Sequence, residues 1–159
     1  MISVRIKIGD GQILDTREYG LIYKESDTRF EAPIKKRDTT SYAEEAGEHI
    51  DPRTVPDAFD YTVQFIVLAH NKNLQNANHV IAMFNRLLYT RQRGSDIRTY
   101  EEVTFYNDFK RVKIVGIPEP IAEAEKLYRR QNGEMMDCAV VKLKIRVTDP
   151  SRCDFNMSV

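Results

Sequence analysis

The chain has no excess charge of either sign. Its 159 residues hold 24 Lys and Arg against 24 Asp and Glu. Binding nucleic acid by phosphate neutralisation requires a concentrated positive surface, so no specific nucleic-acid binding is expected. Near-neutrality also leaves little repulsion between copies, which is compatible with self-association. Cysteine is scarce. Cys138, in an apolar strand pattern, and Cys153, near the C-terminus, cannot build a disulfide framework and lack metal-site spacing. Two free thiols in a reducing compartment are expected. No apolar run approaches the roughly 18 residues of a membrane span, and no signal-peptide core precedes the strand pattern that begins at Ile2. The protein is therefore expected to have no membrane partner and to be made and kept in the cytoplasm unless something carries it out.

Signs of catalysis are missing as well. There is no GxGxxG, P-loop or GxSxG sequence. Of the three histidines, His49, His70 and His79, none has a carboxylate at metal-motif spacing. Glu44, Glu45 and Glu48 cluster, but paired carboxylates do acid–base chemistry only where a pocket shifts their pKa values. On a polar, proline-bounded stretch they read as solvated charge. No catalytic, cofactor-binding or metal-binding residue is assigned, no cofactor is expected, and the chain reads as a non-enzyme.

What is present is alternation. Ile2, Val4, Ile6 and Ile8 share one face of a strand that ends at the turn signal Asp10-Gly11. A second strand is expected over Tyr19–Lys24 and a weaker extended stretch over Arg29–Arg37. Phe59, Tyr61, Val63, Phe65 and Val67 form a long strand whose far end, where Ile66 and Leu68 join, is expected to be buried on both faces. Ile97 to Tyr106 and Arg111 to Ile117 read as a hairpin around Asn107-Asp108. Ala139, Val141, Leu143, Ile145 and Val147 mark a last strand, followed by a short tail at 149–159. Between the strands lies a helix at about 73–90. Leu74, Ala77, Val80, Ile81, Phe84, Leu87 and Leu88 make one stripe at the 3.6-residue period. Asn71 or Asn73 suits its start, and Arg91, Arg93 and Gly94 suit its end. The segment Ile121–Asn132 is either a helical turn or a solvated loop.

Together these elements predict a single domain over 1–159, mainly β (α+β). The expected architecture is a β-sandwich or open barrel of about six to seven strands with one amphipathic helix packed across it. Residues 38–56 stand apart: polar, with two prolines and no sustained period. Connections this long are uncommon inside compact domains, and this one reads as a projecting arm, with a disordered loop as the alternative. On the last strand, Lys142, Lys144 and Arg146 form a basic ladder. Its plain reading is a solvated sheet face; its functional reading is a surface that meets the acidic arm of a neighbouring copy.

The order hairpin, arm, long strand, helix, hairpin and final strand resembles the tail-tube and distal tail proteins of tailed bacteriophages and prophages. It also resembles the related tube proteins of contractile injection machines. The stretch that carries most of the resemblance runs from Lys36-Arg37-Asp38 through Glu44-Glu45-Ala46-Gly47-Glu48-His49-Ile50-Asp51-Pro52-Arg53-Thr54 into Phe59–Phe65. Ile97–Ile117 and Val140–Val147 match the family's closing hairpin and last strand. The long loop holds only Gly47 where distal tail proteins carry a glycine-rich signature, and the chain has no room for the second domain that many of them have. The resemblance therefore points to the ring-forming domain alone. It implies self-assembly into a ring, commonly of six subunits, in contact with other tail or baseplate proteins. It also implies residence in the virion tail, after a time in the bacterial cytoplasm. Tube subunit and distal adaptor both remain open. The interface residues expected on this basis are Tyr42, Glu44, Glu45, Glu48, Ile50 and Arg53 of the arm, with Lys142, Lys144 and Arg146. A ligand-binding β-barrel with a helical lid and a secretion-system tube subunit are the competing readings.

Overall fold

The computed structural model describes residues 2–36, 39–40, 47, 49–50, 52–68, 77–128 and 138–157. In chain order its elements are β1 (Val4–Ile8), β2 (Ile13–Asp15), a 3-10 turn (Thr16–Tyr19), β3 (Leu21–Ser26), β4 (Thr39–Thr40), β5 (His49–Ile50) and β6 (Phe59–Leu68). There follow α1 (Ala77–Leu87), β7 (Tyr89–Arg91), β8 (Arg98–Tyr100), β9 (Val103–Asn107), β10 (Val112–Pro118), β11 (Ala124–Tyr128), β12 (Cys138–Val147) and a second 3-10 turn (Pro150–Arg152).

Eight strands make one antiparallel sheet in the order β2-β1-β9-β10-β12-β6-β3, with β11 also paired to β12. The two ends of this path, β2 and β3, are separated in sequence only by Thr16–Gly20. Five residues reach at most roughly 18 Å, so the sheet must curl until its ends come near each other. Alternation then places every inward side chain in one core. Val4 and Ile6, Tyr61 to Val67, Val103 and Phe105, and Val141 to Val147 all join a single buried cluster. The expected fold class, mainly β with one helix on a β-sandwich or open barrel, is the one observed, with eight strands in the sheet where six to seven were expected.

The curl turns on β10. Its first half pairs with β9, while only Ile117 and Pro118 pair with β12. Alternation breaks where the strand passes between the two halves: Val115 and Gly116 are both buried and Ile117 is exposed. A side chain at Gly116 would meet the Arg146 carbonyl and lie 2.8 Å from Ile145 Cγ2. The absence of a Cβ lets the two backbones cross at this corner.

Helix α1 buries Ala77, Val80 and Phe84, and Leu88 just beyond it, against the core. The expected caps at Asn71 and Asn73 lie outside the described residues. At its other end the helix stops at Leu87, not near residue 90, and Leu87 is exposed rather than part of the buried stripe. Tyr89–Arg91 instead pairs with Arg98–Tyr100 as a separate hairpin. A cross-strand aromatic contact between Tyr89 and Tyr100, 5.5 Å between centroids, outweighs helix continuation, and Arg98 lies over the Tyr89 ring at 4.7 Å. Gly94, expected as the helix end, sits at φ +75° in that hairpin's turn. The long alternation from Ile97 to Tyr106 is accordingly two strands. It breaks at Glu101-Glu102, where Glu101 N–H donates to the Leu88 carbonyl and Gly9 N–H to that of Glu102.

Other expectations also shift. Ile121–Asn132 was open between turn and loop; its described part contains β11, an edge strand with a bulge between Ala124 and Lys126. Its start is held to α1 by two reciprocal bonds, Asn85 Nδ2 to the Ile121 carbonyl and Ile121 N–H to Asn85 Oδ1, each 2.9 Å. Ile66 is half-buried rather than enclosed, because the outer face of β6 stays partly open. Arg29–Lys36 forms no strand; only Ile34 pairs, in an isolated bridge with Pro56. The described part of the C-terminal tail is tied down. Asp154 and Lys113 exchange both backbone bonds, and Met157 N–H donates to the Arg111 carbonyl, on the part of β10 that does not pair with β12.

Candidate assembly surface

The described parts of the arm pair with each other. At its root Lys35 N–H donates to the Val55 carbonyl (2.9 Å) and Asp57 N–H to that of Pro33 (2.7 Å). Further out β4 and β5 pair Thr39 with Ile50 and Thr40 with His49. From Ile34↔Pro56 to Thr39↔Ile50 the register shifts by one residue. Such a slip is tolerated where neither face of a ribbon is buried. Tyr42, Glu44, Glu45 and Glu48 lie outside the described residues. Ile50 and Arg53 are exposed, Ile50 at 48%.

Sequence reasoning missed the apolar side chains around the arm root. Phe30 is 83% exposed, and Ile34 and Val55 are exposed with it. The available signal was the presence of large apolar residues in a polar segment that has no period to turn them inward. Ile34, Ile50 and Val55 lie on the paired limbs of the arm and Phe30 just before them, all four open to solvent.

The root is fixed to the domain at Phe59. The Arg29 guanidinium carbon lies 4.4 Å from the centre of that ring, and Phe155 packs against the same ring at 6.1 Å.

The basic ladder lies on the outer face of the β12–β6 pair. Lys144 and Arg146 share Asp60 at 3.4 and 3.3 Å, and Lys142 reaches Glu125 at 3.7 Å. The three bases are thus brought together and partnered within their own chain, by carboxylates that are not in the arm. Such exposed pairs are weak and exchange readily with outside partners. In the cross-strand row beyond them this face turns apolar: Ile22, Ile66 and Val140 stand in register.

Buried polar groups outside the arm serve the fold. Asn107, fully buried, accepts from Phe109 and Lys110 N–H through Oδ1 and donates to Ser26 Oγ and Tyr61 Oη through Nδ2. Burial pushes the Tyr61 phenol pKa up, partly offset by bonds from Ser26 and Asn107. Burial likewise raises the Cys153 thiol, partly offset by its bond with Val115. The Arg17 hydrogen bond holds the Asp15 carboxyl below its ordinary value. Among the described residues no three His, Cys, Asp or Glu side chains are placed to hold a metal, and no helix is long and apolar enough to cross a membrane.

This fold has a counterpart among solved structures. The chain shares the fold of SPP1 Dit. That crystal structure is described as a paradigm of the hub adsorption apparatus in phages that infect Gram-positive bacteria. The match has a TM-score of 0.52, covers 92% of this chain and 50% of that one, and carries 21% identity. At this identity the likeness to Dit is one of fold. The chain spans about half the length of Dit. No protein-family model and no curated protein sequence matches it.

Proposed function

We propose that the chain is a structural subunit of a phage or prophage tail. On this reading it forms rings at the tail tube or its distal end, links to baseplate components and has no catalytic role. The observation that carries the proposal is the likeness to a phage hub protein over nearly the whole chain. The arm supports it. Ile34, Ile50 and Val55 on its paired limbs and Phe30 just before them are exposed, apolar surface that a neighbouring copy would cover. The sheet ends in strands β2 and β3, edges that a head-to-tail contact can pair; repeated by rotation, such contacts close a ring. The acidic arm residues Glu44, Glu45 and Glu48 and the basic ladder are complementary in sign. The exposed pairs on Asp60 and Glu125 could rearrange to receive them.

The ligand-binding barrel has less support, because Tyr61, Phe65, Phe84 and Phe105 are fully buried members of one continuous core. The test is the mass of the purified protein by light scattering across a concentration series, with imaging of any large species. Rings or stacked tubes that vanish on deletion of residues 42–54, with the melting transition retained, are the expected result. Intact rings from that deletion would sink the arm's role, and a strict monomer at every concentration would count against self-assembly.

A further inference from the structure

Two segments far apart in sequence meet on one side chain. Phe59 opens β6, and the second limb of the arm runs into it through Asp57 and Ala58. The first limb passes the same ring, where Arg29 lies over it at 4.4 Å. Arg29 Nε is buried and makes no hydrogen bond, so the ring is the group that compensates its burial. The C-terminal segment supplies Phe155, tilted against Phe59 at 6.1 Å. Two backbone bonds between Lys113 and Asp154 (2.7 and 2.9 Å) and one from Met157 to Arg111 (2.8 Å) hold that segment to β10. Phe59 itself is 4% exposed. A ring packed by both segments cannot move without changing both contacts.

We propose that Phe59 couples the arm to the C-terminal segment, so that docking of residues 153–157 along β10 sets how firmly the root of the arm is held. The inference rests on this packing alone and stands whether or not the chain builds phage tails. A partner that lifts the C-terminal segment would release the arm root. Because coupling is reciprocal, a partner that seizes the arm would change the hold on the C-terminal segment.

Hydrogen exchange on the full chain tests this. In Phe155→Ala the arm-root amides of Lys35 and Asp57 should exchange roughly 2- to 30-fold faster, the range a partly or fully desolvated cation–ring contact allows. The amides of the β6–β12 ladder should be unchanged. Arg29→Ala should in turn speed the amides of Asp154 and Met157, and Phe155→Ala added to Arg29→Ala should speed the root no further. Should Phe155→Ala fail to fold, Phe155→Leu keeps most of the bulk and loses the ring, and its arm-root amides are read in the same way. Unchanged arm-root exchange in a folded Phe155 variant would overturn the proposal. So would equal acceleration at every amide, since that is a loss of global stability without coupling.

Discussion

The β6–β12 ladder and the paired limbs of the arm are both antiparallel, and they treat apolar residues in opposite ways. Between β6 and β12 ten residue pairs run in unbroken register. Phe59, Tyr61, Val63, Phe65 and Val67 face Ala139, Val141, Leu143, Ile145 and Val147 in one buried layer. In the arm the register slips by one residue between its two ladders, and Ile34, Ile50 and Val55 face solvent. The same backbone chemistry thus gives a buried apolar row in one place and an exposed one in the other. What separates them is whether the chain itself supplies a second layer. A ladder with one face in the core has its register specified by that burial; Ile34, Ile50 and Val55 of the arm have no such layer over them within the described residues.

The strongest way to break this contrast is Phe65→Asp, which strands a carboxylate in the core. It should cost several kcal/mol, about enough to abolish folding, read as loss of the cooperative melting transition. A normally melting variant would mean that the β6 face is wrongly placed. Next in size, Gly116→Ala forces a methyl group against the Arg146 carbonyl and Ile145. A loss of about 1–3 kcal/mol is expected in denaturant titration, since backbone lies on one side of the clash. Asp60→Asn, on the open face of the same ladder, should cost only about 0.2–1 kcal/mol and lose most of that effect in high salt. Smallest of all, Phe30→Ser in the arm should leave stability within about 0.5 kcal/mol of the parent. If the arm is a contact element, that variant should still weaken self-association in light scattering. A large melting change from Phe30→Ser would erase the distinction between the two regions.

Much of the sheet could be read in advance because burial on one face writes a period of two into the residues. Val141 to Val147 and Phe59 to Val67 need no tertiary information to be placed. The errors cluster where a partner outside the local window decides. Tyr89 looks like the end of a helical stripe until Tyr100 is known to lie across from it. Glu101 and Glu102 sit inside a clean alternation that hydrogen bonds to Leu88 and Gly9 interrupt. Leu127 and Tyr128 become strand residues because β12 has an edge to offer. At the proposed surface the ladder Lys142, Lys144 and Arg146 was located from its spacing. Its partners Asp60 and Glu125 were not, since register between distant strands is invisible from either strand alone. The exposed residues Phe30, Ile34 and Val55 were overlooked because apolar residues without a period carry no directional signal.

The position of β12 has a consequence for how the molecule comes together. It lies between β6 on one side and β10 with β11 on the other, and its partners on β6 are roughly 70 to 90 residues earlier in the chain. The ladder of β3 with β6 and the hairpin of β9 with β10 can each close over shorter spans. During synthesis the open flank of β6, with its row of large apolar side chains, must therefore persist until residue 147 has emerged. The closing of a long loop then adds an entropic barrier before any of the ten pairs is gained. The nascent domain is accordingly most prone to aggregate late, and a chaperone that covers the flank of β6 would raise its yield more than one that acts on the earlier hairpins.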